Sequence, residues 1–163
     1  MLNPITVPQG CHPIELVQFW RGEYKRGQPH PLHWALFLRT ARRSAAVPLD
    51  APRGNFYEVV GTQDTYTAQF LQQVTFEPDG LGDWRGTHVI GWVSPGQVGV
   101  FERAVRQVPV WRHRPDWRSQ QWVYDVVRAV GGSYQGVHMS DVTFVVLHKH
   151  MGRLLDAWER GDI

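Results

Sequence analysis

The sequence predicts an α+β domain, with a mostly antiparallel sheet of four to five strands packed against helices. Two patterns carry that expectation. Short apolar or alternating runs bounded by turn residues fill residues 32–93, and apolar stripes at helical spacing fill residues 94–158. No internal repeat or low-complexity tract divides the chain, so residues 1–163 are expected to form one domain.

Taken in order, Pro13 opens a segment whose Ile14, Val17 and Trp20 recur at helical spacing beside Leu16, predicting a helix that ends near Gly22. Leu32 to Leu38 is almost wholly apolar and follows Pro29-His30-Pro31, which predicts a buried strand. Residues 39–54 read as a polar Arg/Ala/Pro loop, long enough to be disordered or to serve as a flap over a site. Phe56 to Val60 predicts a second strand that returns beside the first as a hairpin. A third is expected around Gln69 to Phe76, a turn at Gly80-Leu81-Gly82-Asp83, and a fourth strand at Thr87 to Val93. Ser94-Pro95 starts a helix with Val98, Phe101, Val105 and Val108 on one stripe. A second helix runs from Asp116 to Val130, with Val123, Val126, Val127 and Val130 inward and Gly131-Gly132 as its stop. Ser140-Asp141 opens the last helix, striped by Phe144, Leu147, Met151, Leu154 and Trp158.

Composition excludes several classes. A chain of 163 residues, 42% hydrophobic, needs no disulfide or metal staple, and the lone Cys11 has no internal partner. Met1-Leu2-Asn3-Pro4 does not begin a signal peptide, and no apolar run approaches a membrane span, so a cytoplasmic protein is expected. A net charge of +2, without a nucleic-acid motif, does not describe an electrostatic nucleic-acid binder. A small-molecule partner is the expectation, and the oligomeric state is open. The basic residues are almost all Arg, which suits stacking on the eight Trp and pairing with carboxylates.

Three segments then carry a resemblance. They are His33-Trp34-Ala35-Leu36-Phe37-Leu38, Asn55-Phe56-Tyr57-Glu58-Val59 and Arg118-Ser119-Gln120-Gln121-Trp122-Val123. Their order resembles the permuted papain-like superfamily, which includes the lecithin:retinol acyltransferase family and the NlpC-type and PPPDE peptidases. The resemblance covers roughly residues 30–130 and implies a papain-like fold. It makes His33 the general base, Glu58 its orienting residue and Ser119 the nucleophile, at a position where the family has Cys. The implied activity is a hydrolase or acyltransferase acting on an acyl- or amide-type small molecule, with no cofactor.

A serine hydroxyl is far less acidic than a thiol and needs a well-placed base and an oxyanion hole. Ser119 is thus consistent with a Ser-His-Glu hydrolase, an inactive descendant, or an inactivating replacement of Cys. Two other classes compete: a non-catalytic binding module that keeps the pocket, and an acid/base cyclase or isomerase of fungal biosynthesis that uses His33 and Glu58 without covalent catalysis. Each residue also has an ordinary role open to it. Ser119 suits a helix N-cap, His33 a satisfied core histidine, and Glu58 a salt bridge with Arg.

Ser119 lies four residues before Val123, so it shares the inward face of its helix. His33 and Glu58 fall on neighbouring strands, where Glu58 can fix the imidazole tautomer. Trp34, Trp122 and His88 are the expected walls of the pocket, with Arg42 and Arg43 reaching an anionic group from the flap. His148 and His150 are spaced to point to different helix faces, and no metal site is expected.

Overall fold

In the computed structural model, which describes residues 2–40, 52–77 and 81–163, the elements run in chain order as follows. They are β1 (His12–Phe19), β2 (Glu23–Lys25), β3 (Gln28–Pro29), β4 (His33–Arg39), β5 (Arg53–Val60), β6 (Thr67–Thr75) and β7 (Trp84–Val93), then a 3-10 turn at Pro95–Gln97, α1 (Val98–Gln107), α2 (Ser119–Val130), β8 (Val137–Met139) and α3 (Phe144–Glu159). The α+β class with an antiparallel sheet is as expected. The sheet has six strands rather than four or five, in the order β6-β5-β4-β1-β7-β8, with β2 and β3 forming a separate hairpin.

The largest correction is β1. Ile14, Val17 and Trp20 are spaced as on a helix, yet the segment is a central strand between β4 and β7. A strand covered on both faces buries consecutive residues, and Ile14 to Gln18 are all buried. Such a run satisfies a helical template by accident. Its two polar residues are tied down: Glu15 pairs with Arg39 at 2.6 Å, and the Gln18 amide donates to the carbonyls of Arg85 and Met151 at 2.6 and 2.8 Å.

The expected β4–β5 hairpin pairing is present, with Leu36 opposite Tyr57 and Ala35 opposite Glu58. Alternation along the strands then sorts side chains between two cores. Leu16, Trp34, Leu36, Leu38, Tyr57 and Ile90 join the larger cluster with the buried stripes of all three helices. Val17, Ala35, Phe37 and Phe56 form a smaller cluster with Phe76 on the other face.

The helix boundaries are shorter than expected. α2 begins at Ser119 rather than Asp116, because Arg118 is fully extended at φ −151° and serves as the N-cap. The cap of α3 is Thr143, whose hydroxyl accepts from the Val146 N–H, rather than Ser140-Asp141. α1 docks on β5 through Glu102, which accepts from the Tyr57 hydroxyl and the Asn55 amide at 2.7 Å each.

The short β8 closes the sheet against β7 at Gly91, where a Cβ would fall against the carbonyl oxygen of His138 and 2.8 Å from the Met139 sulfur. Gly91→Ala is therefore expected to cost about 2 to 4 kcal/mol through overpacking against an unyielding backbone. The check is the urea midpoint of unfolding. An unchanged midpoint would show that β8 does not hold this position.

Candidate functional site

Phe19 lies opposite His33 across β1 and β4, so His33 stands at the first position of its strand, at one end of the sheet. Glu58 faces the same side from β5, since its direct neighbour Ala35 belongs to the smaller cluster. His33 Nε2 and Glu58 Oε2 are 2.7 Å apart. Both side chains are mostly covered, at 14% and 17% exposure, so the pair is only partly screened. A carboxylate only accepts, so Nε2 donates in this contact, and in the tautomer that this bond selects the ring lone pair lies on Nδ1. The contact joins the two residues that the strand pairing brings to one face.

The pair lines a cleft of about 370 Å³ walled by Phe19, Phe56 and Trp20, with Arg21 and Asp83 also on its lining. That volume and mixture of apolar walls with few polar groups suit a small organic molecule.

Ser119 does not join them. Its hydroxyl accepts the backbone N–H of Trp34 at 3.2 Å. No hydrogen bond links it to His33 among the described residues. The physical reason is strand alternation: Trp34 points into the helix-covered core, and His33, one residue earlier, points to the other face. Ser119 is also 2% exposed, so its hydroxyl is sealed at the α2–β4 junction. It is the first residue of α2 and not the N-cap, which is Arg118.

The expected substrate-binding residues also separate. Trp122 is fully buried core. Trp34 packs on Phe144 and His148 and lines a second cleft on the helix side. His88 is paired opposite Leu16, on the helix side of the sheet, and does not line the His33 cleft. Arg42 and Arg43 lie outside the described residues. Cys11 is at the far end of β1, with its sulfur 4.0 Å from the Ser94 hydroxyl. Phe19, Phe56 and Trp20 are not among the site residues expected from sequence: Trp20 reads there as part of a helical stripe and Phe56 as the start of a strand, and no sequence pattern puts them beside His33.

A family of unknown function (DUF6540) matches residues 20–132. The chain belongs to the DUF6540 family. The segment matched by DUF6540 contains His33, Glu58 and Ser119, whereas α3 lies beyond it. Neither a curated protein nor a solved structure matches this DUF6540 chain. Among the described residues, no cluster of three or more His, Cys, Asp or Glu is placed to hold a metal, and no helix is long and apolar enough to cross a membrane.

α3 of this DUF6540 protein presents His148 and His150 to different neighbours, as their spacing requires. His148 meets Trp34 and Phe144, while the ring centroid of His150 is 4.1 Å from that of His88. His88 Nε2 and both ring nitrogens of His150 are buried without a hydrogen-bond partner among the described residues. Burial, and then the neighbouring His150, lowers His88 from its ordinary 6.5 to about 4. Burial also lowers His150, with the Arg153 charge acting in the same direction.

The unfolded chain therefore takes up protons near pH 6.5, where the folded chain does not, so stability falls as pH drops toward 4. For His88 the loss approaches about 3 kcal/mol at its limit, less whatever solvent screening removes. Urea midpoints between pH 7 and pH 4.5 should show this slope, with a shallower one in His88→Leu. An identical slope in the variant would show that other groups govern acid unfolding.

Proposed function

We propose that this protein is an acid/base enzyme for a small organic molecule with an apolar body, in which His33 transfers the proton and Glu58 positions it. The observation that carries this reading is the 2.7 Å His33–Glu58 contact on the lining of an open, aromatic-walled cleft. Glu58 holds the Nε2 proton and leaves Nδ1 to accept one from a substrate C–H or O–H. The imidazolium so formed is stabilised by the adjacent carboxylate and returns its proton to another atom of the same molecule. Isomerisation or cyclisation is the reaction class, and neither step requires a cofactor. Phe19 and Phe56 supply contact for the apolar body, and Arg21 supplies a cation for any carboxylate the substrate bears.

A papain-like hydrolase or acyltransferase would need Ser119 as nucleophile. Its low exposure and its bond to the Trp34 N–H favour a structural serine, which ties the start of α2 to β4. The acid/base reading asks for no rearrangement of that junction.

A panel of ketones, lactones and unsaturated acids incubated in D2O and followed by NMR tests the proposal. His33→Gln and Glu58→Gln are expected to slow deuterium incorporation or isomerisation by about 10²- to 10⁴-fold, with the fold unchanged. Ser119→Ala should retain turnover. A covalent adduct on Ser119, or activity that survives His33→Gln, would sink the reading.

The same serine variant carries a stability expectation. Ser119→Ala leaves the buried Trp34 N–H without its acceptor, at an expected cost of about 1 to 3 kcal/mol. Thermal unfolding measures it, and no loss would mean that the Trp34 N–H finds another acceptor.

A further inference from the structure

A second cleft, of about 390 Å³, opens at the same end of the sheet on the helix-covered face. Its walls are apolar, from Trp20, Leu32, Met151 and Leu155, while Arg118 and Gln120 line it at the start of α2. Among the described residues, no acidic side chain lines it. We infer that this cleft binds an organic carboxylate whose anionic end meets the N-terminus of α2 and Arg118, and whose alkyl or aryl body lies on Trp20 and Met151.

Three observations converge. α2 has twelve residues, and its N-cap Arg118 makes no side-chain capping bond, so the first N–H groups of the helix have no intrahelical acceptor. Those groups and the helix dipole favour an anion. Gln120 lines the same cleft and is only 7% exposed, and its amide has no hydrogen-bond partner among the described residues. The Trp34 indole Nε1–H on the same lining is buried without a partner among the described residues, which is costly, and a ligand oxygen would satisfy it. His30 and His148, also on the lining, add ring N–H groups. The apolar walls distinguish the occupant from a bare inorganic anion, which gains nothing from Trp20, Leu32, Met151 or Leu155. This site does not rest on the His33–Glu58 reading, because it lies across the sheet from that pair.

The cleft contains a built-in means of closing it. Gly152 lines it from α3, and a Cβ there would meet nothing within 4 Å. Gly152→Leu therefore fills the cleft while improving helix propensity.

The probes are 3-phenylpropionate, its neutral amide 3-phenylpropionamide, and inorganic phosphate, each titrated into 15N-labelled full-length protein. 3-Phenylpropionate is expected to shift the backbone amides of residues 119–121 and the Trp20 indole. The amide analogue, phosphate and Arg118→Gln should each bind or be bound roughly 10-fold more weakly. Gly152→Leu should abolish the shifts with an unchanged or raised melting temperature, and Glu58→Gln should leave them as they are. Equal binding of the amide would overturn the anion site, and equal binding of phosphate would overturn the apolar subsite. Binding that survives Gly152→Leu, or no shift at residues 119–121 at saturating probe, would overturn the proposal altogether.

Discussion

Side-chain alternation along β4 is the constraint on which the rest of the architecture depends. Trp34, Leu36 and Leu38 must enter the helix-covered core, because that is where α2 and α3 deliver their apolar stripes. Once they do, His33, Ala35 and Phe37 have no choice of face. A shift of one residue would bury His33 beneath α2 and expel Trp34. Full burial of Trp34 is worth several kcal/mol by area, far more than any single polar contact nearby. The packing of an indole thus decides where the imidazole goes, and the imidazole's position decides which residues can do chemistry with it.

That decision gives His33 a carboxylate and withholds a hydroxyl. Glu58 shares its face through the β4–β5 pairing, and the pair is covered enough for the contact to be strong but open enough to touch a ligand. Ser119, on the other face, satisfies a backbone N–H at the place where a helix begins against a strand. An unpaired N–H there would cost about as much as a lost hydrogen bond, which is sufficient reason for a hydroxyl at that position without any catalytic role. The polar residues of the three segments are thus divided between a pair on the lining of a cleft and a buried tie between helix and strand.

Much of this was legible in the sequence. β4, β5 and β7 announced themselves as apolar runs between turn residues, and the stripes of α1, α2 and α3 put the right residues inward. β1 was misread because burial on both faces erases the period-two signal, leaving a pattern that any template can claim. β2, β3 and β8 are two or three residues long, too short for any period to show. The His33–Glu58 relation could be anticipated because it needs only a hairpin register. The separation of Ser119 from His33 could not, because sequence spacing places a helix on a sheet without saying which face of a given strand it covers. The contact of His88 with His150 joins β7 to α3 across some sixty residues, and no local pattern encodes it.

The end of β1 explains why both clefts gather at one edge of the sheet. Beyond Phe19 the strand pairing with β4 stops, and Trp20 turns its N–H to the carbonyl of Asp83 at 2.6 Å. Its indole stands where the sheet no longer separates the two faces, and it lines the His33 cleft on one side and the Arg118 cleft on the other. A large half-buried ring in that position is a shared wall of the two clefts. Arg85 stacks its guanidinium between Trp20 and Trp158, 5.8 and 3.6 Å from the ring centroids, and so ties that wall to α3. The two clefts differ in chemistry, one lined by the His33–Glu58 pair and the other by Arg118 and Gln120, yet both are built on the one Trp20 side chain.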